Sequence, residues 1–167
     1  MSGVKTVRLV LAAAATAAVL SGSAGANDSA AAKDGFSPIS CTGAPNEIRL
    51  IVSNVRKGVG ILKVELYKND QTTWLQGEGR LVQARFAARA PETKVCLHAP
   101  GPGRYAIGLY HDKNNSGRFD KGPLGLPAEP FGVSNNPRMQ FAAPKIEEAL
   151  FEVPDTSVVV TIKLRSL

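Results

Sequence analysis

The sequence predicts an all-β domain built as an antiparallel two-sheet sandwich of about seven strands with one long loop. Two observations lead to this fold class. Apolar and polar residues alternate with a period of two in successive short segments, which is typical of strands that are buried on one face. Turns rich in Gly, Pro, Asn and Asp separate these segments, and no long amphipathic helix is visible. Two packed sheets are therefore the expected architecture.

The first two strands are predicted on either side of a glycine-containing turn. One covers residues 47–53, and the other follows the turn at residues 57–60. Their alternating apolar positions are Ile48, Leu50, Val52, Leu62, Val64 and Leu66. Because the connection is short, the pattern predicts that the two strands form a hairpin.

The later strands follow the same alternation. Their apolar positions are Val82, Ala84, Phe86, Val95, Leu97, Tyr105, Ile107, Leu109, Val158, Val160, Ile162 and Leu164. A single helical turn is predicted at residues 145–150. The stretch 112–140 has no clear strand pattern and is predicted to be a long loop, a type of segment that is usually functional or disordered.

The amino-terminal residues predict export. Lys5 and Arg8 precede the apolar run 9–20, and a small-residue cleavage pattern ends at Ala26, as in a cleavable signal peptide. The apolar run is too short to span a bilayer comfortably, so no transmembrane segment is expected in the mature chain. The predicted organisation is a signal peptide at 1–26, a flexible leader at 27–45 and a β-sandwich domain at 46–167. The mature protein would be periplasmic or secreted.

The net charge gives little information about partners. The chain carries 20 basic and 14 acidic side chains, a formal charge of +6. Removal of Lys5 and Arg8 with the signal peptide leaves 18 − 14 = +4. The remaining basic residues are scattered along strands, which argues against a nucleic-acid partner. Arg80, Arg85 and Arg89 either form a stripe for anionic envelope polymers or are simply solvated.

The two cysteines are predicted to form a disulfide. Export permits a structural bridge between Cys41 and Cys96, which is the only intramolecular pairing available. Cys96 lies between Val95 and Leu97 in an alternating strand, so its side chain points to the opposite face of the sheet. The bridge would therefore tie the leader across the outside of the sandwich.

The start of the long loop has the spacing of a weak calcium loop. Oxygen-bearing side chains occur at loop positions 1, 3, 5 and 9, with glycine at position 6 and a main-chain carbonyl at position 7. The candidate ligands are Asp112, Asn114, Ser116, the carbonyl of Arg118 and Asp120. Position 12 is Pro123 instead of glutamate, so any affinity for calcium would be low. The alternative is a tight turn that Asp and Asn side chains cap, with Gly117 at positive φ.

The second half of the loop contains further candidate ligand-binding residues. These are His111, Glu129, Phe131, Asn135 and Asn136. Glu129 is also a candidate to complete the coordination sphere of the calcium ion. The alternative is that Phe131 plugs one end of the sandwich while the two asparagines satisfy main-chain groups.

Three motifs resemble a known family. They are Pro-Gly-Arg-Tyr-Ala-Ile at 102–107, Tyr-His-Asp-x-Asn-x-x-Gly-x-x-Asp at 110–120 and Gly-Leu-Pro-x-Glu-x-Phe-Gly-x-Ser-Asn-Asn at 125–136. Together they are similar to the exported bacterial proteins of domain of unknown function 2141, over residues 46–164. The resemblance implies an immunoglobulin-like or transthyretin-like sandwich in the periplasm or outside the cell. It implies no catalytic residue.

The expected function is that of a noncatalytic binding or envelope-interaction module. Neighbouring residues of a strand point to opposite faces, so the pair His111 and Asp112 is a poor catalytic dyad. The chain contains no Gly-x-Ser-x-Gly, His-Glu-x-x-His, phosphate-loop or dinucleotide motif. The expected partner is an envelope protein, a polysaccharide or a small ligand, with calcium as the one possible cofactor. The alternative is a small periplasmic hydrolase or carbohydrate-active enzyme that uses Asp112 and Asp120.

Overall fold

Eight strands and one short helix make up the computed structural model, which describes residues 41–138 and 142–166. The predicted signal peptide and most of the predicted leader lie outside the described residues. The strands are β1 Glu47–Ser53, β2 Ile61–Lys68, β3 Arg80–Ala87, β4 Glu92–His98, β5 Gly103–Asp112, β6 Phe131–Val133, β7 Phe151–Val153 and β8 Val158–Lys163. The helix α1, Ile146–Ala149, lies within the segment predicted as a helical turn.

Two sheets pack against each other. The smaller sheet has the order β4-β1-β8, and the larger sheet has the order β3-β2-β5-β6, with β7 paired to the other end of β5. Apolar side chains at alternate positions of both sheets form the core between them, as the period-two pattern predicted. Its fully buried members include Ile48, Val52, Leu62, Phe86 and Ile162.

The structure corrects the predicted connectivity in two places. Strand β1 pairs with β4 and β8, and β2 pairs with β3 and β5, so β1 and β2 do not form the predicted hairpin. The turn between them carries the chain from one sheet to the other. The sandwich is also not purely antiparallel, because β1 and β8 run parallel.

The structure has eight strands, against about seven predicted: six of them coincide with the alternating segments, and the other two, β6 and β7, are short. Strand β6 lies within the stretch 112–140, which was predicted to have no strand, and pairs with β5 from Gly108 to Tyr110. Strand β7 follows α1 and pairs with β5 near Gly103. Each has only three residues, which is too few for a period of two to be recognised.

The outer face of the smaller sheet is tied by a disulfide. Cys41 and Cys96 are bridged, with their Cα atoms 5.5 Å apart, as the sequence predicted. Beside the bridge, the buried Glu47 accepts hydrogen bonds from the N–H groups of Thr42 (2.7 Å) and Gly43 (3.1 Å) and from Nε of Arg49 (3.0 Å). The leader residues 41–43 are thus held against the sheet by a covalent bond and a buried carboxylate.

The outer face of the larger sheet is covered by loops. A second apolar cluster forms there, separate from the main core, and consists of Tyr67, Trp74, Ala106, Val133, Ile146, Ala149 and Leu150. Trp74 packs edge-on against Tyr67, with ring centroids 5.0 Å apart, and its Nε1 donates to the carbonyl of Pro144. In the described ranges no helix is long and apolar enough to cross a membrane.

Candidate functional site

The predicted calcium loop begins at the end of β5 as a tightly folded turn. Asp112 is fully buried. Its Oδ1 accepts a hydrogen bond from the N–H of Ser116 (2.9 Å), and its Oδ2 accepts one from the N–H of Gly117 (2.7 Å). Gly117 has a φ of +76°, a conformation that glycine adopts without steric penalty. These contacts are the ones expected of a side-chain-capped turn.

Asp120 closes the turn through Asn114. The amide of Asn114 donates to Oδ2 of Asp120 over 3.0 Å. Hydrogen bonds from Asn114 and Ser116 outweigh partial burial, and with the nearby charge of Arg118 they lower the pKa of Asp120 below its ordinary value. The Arg118 carbonyl, a predicted ligand, accepts a hydrogen bond from the Ser116 hydroxyl at 3.2 Å.

Glu129 adds a third carboxylate to this loop. Its side chain is only 4% exposed, and its Oε2 accepts the N–H of Asp120 at 3.2 Å. Its Oε1 is buried and has no hydrogen-bond partner among the described residues. Burial is the largest cause of its raised pKa; the charges of Asp112 and Asp120 also raise the pKa, while the N–H groups of Asp120 and Lys113 lower it.

The three carboxylates gather without forming a closed ligand sphere. In the described part of the chain, the one trio of His, Cys, Asp or Glu ligand atoms that lie within 4.8 Å of one another comes from Cys41, Glu47 and Cys96. Those two cysteines are consumed by the disulfide. Asp112, Asp120 and Glu129 are therefore neighbours in one loop, with their oxygens spread more widely than in such a trio.

A cavity of about 460 Å³ lies against the outer face of the larger sheet. Its floor comes from β2, β5 and β6, and its walls come from the long loop, the segment around Leu75 and the segment before α1. The lining residues are mostly apolar or aromatic: Tyr67, Leu75, Gly108, Leu109, Tyr110, Phe119, Gly125, Leu126, Pro127, Phe131, Gly132, Val133, Ala142, Ala143 and Pro144, with Glu65 as the one charged residue.

The charge of Glu65 is already compensated. Its Oε1 lies 2.9 Å from the Arg80 guanidinium and 3.6 Å from the Lys63 ammonium group, and its Oε2 accepts a 2.6 Å hydrogen bond from the Tyr67 hydroxyl. Tyr110, which also lines the cavity, donates only a long 3.5 Å hydrogen bond to the carbonyl of Gly117. Burial and the charges of Glu65, Asp112 and Glu129 raise the pKa of Tyr110 to about 12, so this phenol is a neutral donor at physiological pH.

Three aromatic rings connect the cavity to the folded loop. Phe119 packs against Tyr110, with ring centroids 5.1 Å apart, and against Phe131, with centroids 5.9 Å apart. Phe119 belongs to the loop itself, between Gly117 and Asp120. The loop that carries the predicted calcium ligands therefore also forms one wall of the apolar cavity.

The other predicted ligand-binding residues have different positions. His111 is buried, and its Nε2 donates to the carbonyl of Val59 at 2.7 Å. Asn135 donates to the Leu150 carbonyl, and Asn136 bonds main-chain groups of Thr161 and Lys163, as in the alternative interpretation of the pair. Of the five predicted ligand-binding residues, Phe131 lines the cavity.

Several cavity residues were not identified from the sequence. Glu65, Tyr67, Gly108 and Tyr110 occupy the strand positions that alternate with the core residues, on the face opposite the predicted core. The available signal was that both tyrosines and a glycine fall on this outward face. Large aromatic side chains there indicate that something covers the sheet.

The comparisons with known proteins identify a family without an assigned activity. No curated protein and no solved structure matches the chain. The model of a family described as an uncharacterized protein conserved in bacteria, DUF2141, matches residues 50–161. This range includes β2 to β7, the long loop and all of the residues that line the cavity. The chain therefore belongs to the DUF2141 family.

Proposed function

We propose that this protein is a noncatalytic binding module that holds a small, mainly apolar molecule in the cavity on its larger sheet. The observation that carries the proposal is the cavity itself, about 460 Å³ and lined almost entirely by apolar and aromatic side chains. Its volume is within the range of ligand sites in proteins, which combine apolar walls with a few polar groups.

The lining indicates the chemistry of the ligand. Glu65 is engaged by Arg80, Lys63 and Tyr67, so the site has little unpaired charge to offer. A charged ligand would lose its hydration without gaining a partner. The matching ligand is uncharged, contains a ring or a short alkyl chain, and carries one polar group that accepts a hydrogen bond from the Tyr110 hydroxyl.

Exposed leucines at the cavity support the same interpretation. Leu75 is 41% exposed and Leu126 is 47% exposed, and both line the cavity. Leu75 also has a positive φ of 58°, and Leu124, two residues before Leu126, has a positive φ of 63°. Bulky residues rarely adopt this conformation, and when they do it is often at functional sites. A bound apolar ligand would remove part of this leucine surface from water.

We also propose that the module is exported to the periplasm or secreted and has an immunoglobulin-like or transthyretin-like arrangement of its two sheets. The signal-peptide pattern at residues 1–26 and the Cys41–Cys96 bridge support export, because disulfides persist in oxidising compartments. A ligand or partner of the cell envelope fits this location.

Binding of N-phenyl-1-naphthylamine, an uncharged aromatic probe whose fluorescence rises in apolar sites, tests the proposed function. We expect saturable binding to the folded protein. Leu126→Ser should weaken it by roughly three- to tenfold, because part of the apolar wall is lost. Leu81→Ser is the matched control, since Leu81 is similarly exposed at 42% but lies on β3 outside the cavity lining.

A second pair of variants adds a large side chain instead of shortening one. Ala143→Phe projects a ring from an exposed cavity-lining position and should abolish saturable binding, whereas Ala87→Phe, at an exposed position on β3, should leave it unchanged. Equal probe affinity in both phenylalanine variants would contradict the proposal.

A further inference from the structure

We propose that Asp112, Asn114, Asp120 and Glu129 form a low-affinity site for a divalent cation of the calcium class. This site is independent of the proposed ligand cavity, although the two share a loop. Folding places the side chain of Glu129 where a carboxylate is unfavourable.

Glu129 has a buried carboxylate oxygen that lacks a hydrogen-bond partner among the described residues. The residue is only 4% exposed, and the N–H group of Lys113 lies near enough to the carboxylate to lower its pKa but makes no hydrogen bond to Oε1. A buried carboxylate oxygen without a partner destabilises a fold. Its other oxygen bonds the N–H of Asp120, so the carboxylate end points into the loop that carries the other candidate ligands.

The cluster is rich in negative charge. Five ion pairs occur among the described residues, and Asp112, Asp120 and Glu129 take part in none of them. Their basic neighbours in the loop, Lys113, Arg118 and Lys121, are exposed. Three carboxylates thus share one loop without a cationic side chain at bonding distance. A bound cation would supply the missing positive charge.

The donor set suits a hard cation. Calcium takes six to eight oxygen ligands in a flexible geometry, from carboxylates, amide carbonyls, main-chain carbonyls and water. Each oxygen of Asp112 accepts one N–H bond and retains a second lone pair. The Arg118 carbonyl is also within the loop. The nearby positive charges and the spread of the carboxylates place the expected affinity in the range of extracellular calcium modules, at about 0.1–1 mM.

Coordination requires a local rearrangement, because the oxygens of the three carboxylates do not converge. Asp120 is bound through its side chain to Asn114 and is partly exposed, so it can turn toward Glu129. We expect the loop to become more rigid when the ion binds, and the folded protein to become more stable as the free ion concentration exceeds the dissociation constant.

The test is thermal unfolding of the full chain with calcium chloride at millimolar concentration, compared with EDTA. Wild type should melt at a higher temperature with calcium. Glu129→Gln should melt no lower than wild type in EDTA, because it removes an unpartnered buried charge, and should lose the calcium-dependent rise. Its affinity for calcium should fall by roughly tenfold or more. Glu147→Gln, at an exposed position on α1, is the charge-matched control and should respond like wild type.

Terbium luminescence gives a second readout, because Tyr110 lies beside the loop and can sensitise a bound lanthanide. We expect calcium to displace terbium from wild type and terbium to give little signal with Asp120→Asn. The proposal is overturned if calcium leaves the melting temperature of wild type unchanged. It is also overturned if Glu129→Gln keeps the full calcium response, or if magnesium and potassium at equal ionic strength stabilise the protein as much as calcium does.

Discussion

The outer faces of the two sheets of this sandwich are covered in different ways. On the smaller sheet, the outward residues Arg49, Lys94 and Thr161 are exposed, and a disulfide with the buried Glu47 holds residues 41–43 against the strands. On the larger sheet, the outward residues Tyr67, Ala106 and Val133 are buried under loops that form a second apolar cluster.

This difference shows where a ligand can be accommodated. A covalent tie with short hydrogen bonds fixes a few residues closely against a sheet and leaves little space. A cover made of loops packs only where its side chains fit, and between Leu75, Leu126 and the sheet it leaves a cavity. Breaking the tie on the smaller sheet is therefore expected to lower stability without changing binding in the cavity on the larger sheet.

Removing the disulfide should have the largest effect on stability. Cys41→Ser combined with Cys96→Ser opens a loop with a sequence separation of 55. The free energy of unfolding should fall by about 4 kcal/mol in the chain-entropy treatment. Denaturant unfolding measures this loss. Binding of N-phenyl-1-naphthylamine to the folded variant should be unchanged, and its loss would show that the two faces are not independent.

Shortening Ile146 should have the next largest effect. This side chain is fully buried in the cluster that covers the larger sheet, so Ile146→Ala should reduce the free energy of unfolding by about 3 kcal/mol. Val159 is 60% exposed on the outer face of β8, and Val159→Ala should change stability by less than about 0.5 kcal/mol. Similar losses in the two variants, measured by urea unfolding, would contradict the contrast between the faces.

Lowering the pH should weaken the contacts of Glu47 on the smaller sheet. We expect this to change stability less than the two preceding substitutions do. Burial tends to raise the pKa of Glu47, but the N–H groups of Thr42 and Gly43 and the Arg49 side chain outweigh it, and the pKa lies below its ordinary value of 4.5. The unfolded chain therefore takes up this proton first as the pH falls. The stability that Glu47 contributes is present above its unfolded pKa and is lost as the pH falls through the lower folded value.

Urea unfolding of Glu47→Gln between about pH 6 and pH 3 measures this contribution. The variant should lose stability less steeply than wild type in the acid part of this range. Glu152→Gln, at an exposed position on β7, should follow the wild-type profile. A decline in Glu47→Gln as steep as in wild type would exclude a role for this carboxylate.

Alternation predicted the longer strands because their periodicity is a local property. Strands β1, β2, β3, β4, β5 and β8 all carry the expected inward residues. The pairing of strands is not a local property, because it depends on whether a turn joins two strands of one sheet or connects one sheet to the other. The link from β1 to β2 looks like a hairpin turn in sequence but connects two sheets, and the parallel pairing of β1 with β8 leaves no sequence signal.

The candidate site was predictable where its residues are close in sequence. The spacing from Asp112 to Asp120 identified the turn, and Cys41 and Cys96 identified the bridge. The cavity assembles side chains from β2, β5, β6, the long loop and the segment before α1. No local pattern joins Tyr67 with Leu126, and the unsatisfied oxygen of Glu129 became visible only when its surroundings were known.

The position of β1 has a consequence for how the chain is made. Strand β1 is the central strand of the smaller sheet and is synthesised before the other described strands, while its neighbour β8 is synthesised after them. Until β8 arrives, one edge of β1 carries unpaired N–H and C=O groups, and such an edge can pair with another chain. A chain that stops before Val158 would keep this edge unpaired, and we expect it to aggregate more readily than a chain that includes β8.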